Sequence, residues 1–308
     1  MTFSTDFGTA SNLPVHITVP GFRLRAQVGS DVLGLWFDAE QESLGRKVTV
    51  KVLKPEYAEH EGAKKEFFAE MDRLMALDHS NISRVLDTSR DETPFIVTDR
   101  TAVHTLEAVL NQETNLGIER CCDYARDVAR ALQYLGEQGL AYKSVTPHLI
   151  SMRDSGGCRM TTFRFIITTE ELQALKGKLV QDTRYIAPEQ LGGDHEVGPK
   201  TPVYQIGCLM YHMLAGRPPH DGSDPTEVAK AHFHKPFPSL KTARPFLHPA
   251  AYNFVAACTV RSPDDRPDLE ETVEALKALE AGKDPGISPQ GSGTIALRPR
   301  KRRRRRRR

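Results

Sequence analysis

Two kinds of residue here invite a chemical reading on type and spacing alone: the thiols and a dense run of arginines. Cys121, Cys122, Cys158, Cys208 and Cys258 are odd in number, and none stands in Cys-x-x-Cys spacing. A disulfide framework needs pairs and a zinc site needs clustered ligands, so neither is expected, and five free thiols suit a reducing cytoplasm. The arginine run comprises Arg298, Arg300, Lys301 and Arg302 to Arg308, ten of the 42 basic residues with no acid among them. The rest of the chain holds 32 basic and 40 acidic residues, so a body of net charge −8 bears a strongly basic end. Such a block either stays solvated against its own acidic body or engages an anionic partner. An anionic membrane would attract it at about 1 kcal/mol per basic residue. RNA would bind it by counterion release, and without aromatics in the run that binding would be indifferent to sequence.

The elements that must position any chemistry fall into two groups. Between Phe22 and Val52 apolar residues alternate or cluster between turn formers at Gly29-Ser30-Asp31 and Leu44-Gly45-Arg46, a strand pattern. From Glu61 to Leu77 the period becomes helical, with Ala63, Phe67, Met71, Leu74 and Met75 on one face. Short strands are expected near Ser83–Asp87 and Phe95–Thr98. Beyond Arg100 helices dominate: a long one through Cys121/Cys122, Ala125, Val128, Leu132 and Leu135, an apolar one at Val203–Leu214, and an amphipathic one carrying Leu269, Val273, Leu276 and Leu279. The uncharged stretch Thr201–Gly216 is 16 residues, short for a membrane span and suited to a buried helix. Met1 to Pro20 lacks the basic start and apolar run of a signal peptide. After Glu280 the Gly, Pro and Ser content marks a linker. Sheet first and helices after is the α+β plan.

Those segments, in that order, resemble a bacterial-type serine/threonine protein kinase across about residues 21–280. The resemblance rests on Val48-Thr49-Val50-Lys51, Glu70 with Leu77-Asp78-His79-Ser80-Asn81-Ile82, and Phe95-Ile96-Val97-Thr98-Asp99. It continues through Gly139-Leu140-Ala141-Tyr142-Lys143-Ser144-Val145-Thr146-Pro147, Arg184-Tyr185-Ile186-Ala187-Pro188-Glu189-Gln190, Leu214-Ala215-Gly216-Arg217-Pro218-Pro219 and Ser262-Pro263-Asp264-Asp265-Arg266-Pro267. It implies a bilobal fold: an N-terminal extension (1–20), a sheet lobe with one helix (about 21–100), a larger helical lobe (about 101–280) and a linker with the polybasic tail (281–308).

Kinase chemistry is mostly positioning and charge neutralisation around phosphates. The resemblance assigns the glycine-rich loop to Gly29-Ser30-Asp31-Val32-Leu33-Gly34, in which Asp31 replaces the middle glycine and sets negative charge where phosphates would lie. The catalytic aspartate is matched by Ser144, the loop lysine by Thr146 and the metal-ligating asparagine by Leu149. The Asp-Phe-Gly triplet is matched by Thr162-Phe163-Arg164, and Pro202 stands in place of the aspartate that braces the loop. Serine cannot collect a proton at neutral pH, and loss of a positioned base costs ~10²–10⁴ in rate. Neither Leu149 nor Thr162 supplies the carboxylate oxygen that Mg²⁺ favours.

What the resemblance retains is structural: the Lys51 and Glu70 ion pair, and the Glu189 and Arg266 pair that ties the activation segment to the helical lobe. The sequence thus predicts a catalytically inactive, kinase-like binding or regulatory scaffold with an unidentified protein partner and no metal. Nucleotide held without Mg²⁺ by Lys51, Arg164 and the loop glycines Gly29 and Gly34 is one alternative. Weak catalysis through borrowed acids (Asp154, Asp182, Glu170, Glu171) is another. Cytoplasmic residence is expected, with membrane association through the basic end as a further expectation.

Overall fold

The computed structural model describes residues 17–99, 104–163, 165–178, 182–192 and 195–289. Five antiparallel strands open the chain: β1 (Phe22–Ser30), β2 (Gly34–Gln41), β3 (Arg46–Leu53), β4 (Val85–Ser89) and β5 (Phe95–Asp99), ordered β1-β2-β3-β5-β4. Alternation along β2 and β3 sends Phe37, Ala39, Val48, Val50 and Val52 to one face, where they form an apolar layer with Phe22, Phe95 and Val97. The opposite face carries Trp36 and Lys51, which are register partners across the β2/β3 ladder. Helix α1 (Glu61–Met75) packs its Phe67, Met71 and Leu74 stripe beneath that face. Each such buried side chain contributes roughly 1.5–3 kcal/mol.

β4 begins two residues later than the apolar pattern predicts. Ser83 donates its N–H to the Met160 carbonyl at 2.9 Å and Ile82 bridges Met160, so 82–83 are tied to the second lobe instead of the sheet.

The helical lobe is built on α2 (Leu106–Gln112) and the long α3 (Ile118–Glu137), followed by the short strands β6 (Leu140–Tyr142), β7 (Ile150–Met152), β8 (Cys158–Met160) and β9 (Ile166–Thr168). After them come α4 (Thr169–Gln173), α5 (Pro188–Leu191), α6 (Thr201–Ala215), α7 (Pro225–His234), α8 (Leu240–Ala243), α9 (Pro249–Cys258) and α10 (Leu269–Glu280). α6 is apolar nearly all round because α3 and α9 both pack on it, the condition for a fully buried helix. It ends at Gly216, whose φ of +75° and approach to the Thr114 carbonyl leave no room for a Cβ. β7 and β8 form a hairpin whose exposed turn leads back to α3: the buried Asp127 carboxylate accepts from the Cys158 N–H at 2.9 Å and from Arg153 at 3.2 Å. One apolar core runs from Trp36 and Phe67 through Phe163 to Leu276, so both lobes share it.

Candidate functional site

The cleft-facing side of the sheet centres on Lys51, whose side chain is fully buried. Its ammonium meets both Glu70 oxygens at 2.8 and 2.7 Å, which pins α1 to β3. It also lies 2.9 Å from Asp31 Oδ2. The other Asp31 oxygen accepts from the backbone N–H of Leu33 and of Gly34, each at 2.8 Å. One carboxylate therefore engages both the amides of the β1–β2 loop and the strand lysine, the groups that the resemblance assigns to phosphate. The glycines keep their close approaches, but towards protein atoms. A Cβ on Gly34 would stand 2.5 Å from Lys51 Cε, and one on Gly29 would stand 2.8 Å from the Trp36 ring. The sequence reading made Asp31 an obstacle by repulsion, whereas the geometry makes it an occupant.

Trp36 fills the neighbouring space. It faces the cleft with Lys51 and reaches across to the second lobe, with ring centroids 5.7 Å from Phe163 and 6.3 Å from Phe165. Lys51 completes the packing, 5.6 Å from the Phe67 ring centre and 5.9 Å from that of Phe163. Sequence reasoning missed Trp36, since an aromatic in a strand carries no mark of which face it takes.

Below the sheet, Ser144, Thr146, Leu149 and Thr162 are all buried. Among the described residues the hydroxyls of Ser144 and Thr162 have no hydrogen-bond partner. The Thr146 hydroxyl lies 3.1 Å from His148 Nδ1, and burial lowers the His148 pKa. Among the described residues no three His, Cys, Asp or Glu side chains gather to hold a metal. Of the acids expected as substitutes, Asp182 and Glu171 are engaged elsewhere. Asp182 forms a two-point pair with Arg184 at 2.7 Å each, and Glu171 pairs with Arg73 while capping α4. Glu170 lies in the first turn of α4, and Asp154 is exposed in the β7–β8 turn. The residues present do not fit a magnesium–triphosphate complex. Arg164 and Arg298 to Arg308 lie outside the described residues. Burial raises the pKa of every thiol, Cys122 to about 12, so all five are held as unreactive thiols.

Further into the helical lobe, Arg266 holds Glu189 through two bonds of 2.6 and 2.8 Å with both side chains fully buried. Beside it His232 accepts from the Tyr204 hydroxyl at Nδ1 (2.9 Å), so its Nε2–H donates to the Arg184 carbonyl (3.0 Å). Burial lowers its pKa from 6.5 to about 3, and that of the nearby His212 to about 4. Because the folded pKa is depressed, the unfolded chain takes up the proton first as pH falls below 6.5. Stability is lost progressively down to about pH 3, and at pH 4 His232 alone accounts for roughly 3 kcal/mol. Urea unfolding at pH 7 and pH 4.5 should show this loss, and His232→Gln should flatten the pH slope.

The sheet lobe, the helical lobe and the core they share make a two-lobed α+β fold, and comparison with known proteins gives its family. Residues 22–276 match the protein kinase domain, and the chain belongs to the protein kinase family. It is 28% identical over 280 residues to serine/threonine-protein kinase PknA of Mycobacterium tuberculosis, covering 88% of this chain and 64% of that protein. A probable serine/threonine-protein kinase of Clostridium acetobutylicum is 25% identical over 80% of this chain and 37% of its own length. Another, from Streptomyces coelicolor, is 26% identical over 85% and 42%. The chain thus spans less than two thirds of the length of these relatives. No described helix is long and apolar enough to cross a membrane.

Proposed function

We propose that this kinase-family domain is a pseudokinase, a binding or regulatory scaffold whose nucleotide cleft is closed by its own side chains. The observation that carries the reading is the Asp31 carboxylate, bound at once by two loop amides and by Lys51. It satisfies the groups that a triphosphate would otherwise satisfy. The missing base and metal ligands at Ser144, Leu149 and Thr162 support the same reading. The intact Lys51–Glu70 and Glu189–Arg266 pairs preserve the kinase architecture, and with it a surface on which a protein partner could act without turnover.

The competing reading is a working serine/threonine kinase, which the names of the relatives suggest. Radiolabelled ATP with Mg²⁺ or Mn²⁺ separates the two. The pseudokinase reading expects no incorporation into this protein or a generic basic substrate above a protein-free blank. Incorporation that grows linearly with protein concentration would overturn it.

A further inference from the structure

The loop between α8 and α9 carries a side chain that the fold does not use. Phe246 is 100% exposed, and its φ of +75° is one that a bulky residue adopts only under strain. The loop around it is nonetheless fixed. The Tyr252 hydroxyl donates to the Arg244 carbonyl at 3.0 Å and accepts the Leu247 N–H at 2.9 Å. Arg244 donates to the Leu214 carbonyl at 2.9 Å, which ties the loop to the end of α6. His248 Nδ1 accepts the Ala250 N–H at the start of α9. A strained backbone held from both sides thus presents an aromatic ring wholly to solvent, and no packing within the chain offsets the strain.

The surrounding sequence carries charge of one sign. Residues 228–263 contain five Lys and Arg residues and no Asp or Glu, in a body of net charge −8 outside the arginine run. Lys230 pairs with Glu227, whereas Lys235, Lys241, Arg244 and Arg261 form no ion pair among the described residues. Pro245, His248 and Pro249 are exposed alongside the ring in sequence, and Lys241 is exposed on the approach to it. The core of a protein–protein interface is instead depleted in lysine and surrounds its aromatic anchors with further apolar contact. A protruding aromatic among unpaired cations suits an anionic bilayer, where the ring enters the headgroup boundary and the cations meet lipid phosphate.

We infer that the α8–α9 loop docks on an anionic membrane surface with Phe246 as the inserted side chain, independently of how the Lys51 cleft is used. One inserted ring gives reversible binding, which the arginine run would reinforce through the same headgroups.

Phe246→Trp in the full chain reports insertion directly. The parent has one tryptophan, Trp36, whose ring is buried near Phe163. On vesicles of phosphatidylcholine with phosphatidylglycerol, the emission of the variant should shift to the blue and that of the parent should not. Neither should shift on phosphatidylcholine alone. Phe246→Gly should weaken sedimentation with the mixed vesicles about tenfold, the effect of removing one inserted aromatic. It should melt no lower than the parent, because glycine adopts a positive φ without strain and no packing is lost. A lower melting temperature would mean that the ring packs on its own fold, against the assignment. The arginine run is common to all variants. Sedimentation without a blue shift, or a glycine variant that sediments like the parent, would credit that run alone and overturn the assignment. Failure to bind the mixed vesicles would overturn it too, and would leave the ring to a protein pocket.

Discussion

Replacing Asp31 with glycine and Trp36 with valine together is expected to raise the affinity of the cleft for ATP well above that of the parent chain. The parent loop carries its own anion: two amides and Lys51 converge on one carboxylate. Hydrogen bonds to a charged acceptor contribute roughly 1.5–3 kcal/mol each. A latch worth about 3 kcal/mol leaves under 1% of molecules open, which weakens any competing phosphate about 100-fold. Asp31→Gly removes that competitor and restores the missing loop glycine. Trp36 still fills the space between the sheet and the second lobe, its ring centroid 5.7 Å from that of Phe163. Trp36→Val opens that space. Thermal-shift titration with ATP in EDTA should give no response for the parent. A small response is expected with Asp31→Gly alone and a clear one with the pair. An unchanged pair would mean that neither side chain is what excludes nucleotide.

Lys51, Glu70, Glu189 and Arg266 were legible because each sits in a short motif whose spacing is set by its own strand, helix or loop. The structure joins them as the resemblance implied, across 19 and 77 residues. The substitutions at Ser144, Leu149 and Thr162 are legible for the same reason.

Asp31 was legible as a substitution but not as a ligand of Lys51. Its contact depends on how a three-residue loop turns between β1 and β2, and local spacing does not encode that. Trp36 was hidden because strand alternation fixes two faces without naming the one that meets the second lobe. The buried His232 and the half-buried His212 belong to different helices, and no motif links them.

Truncating Lys51 to methionine tests the same latch from the other side, through stability. In this chain the buried ammonium stands between two carboxylates, 2.9 Å from Asp31 and 2.7 Å from Glu70. Methionine preserves most of the apolar stem but leaves two like charges together in a site that water barely reaches. Removing one member of a buried ion pair costs about 3–5 kcal/mol. Lys51→Met is therefore expected to lower stability by that order in urea unfolding at pH 7. If Asp31 is truly a partner of Lys51, Asp31→Asn in the methionine background relieves the repulsion and recovers part of the loss. In the parent background the same change costs stability. This sign reversal is a coupling between the two positions, of roughly 0.5–3 kcal/mol for residues in contact. Additive effects would mean that Asp31 does not hold Lys51 in solution, and the self-occupied cleft would lose its central contact.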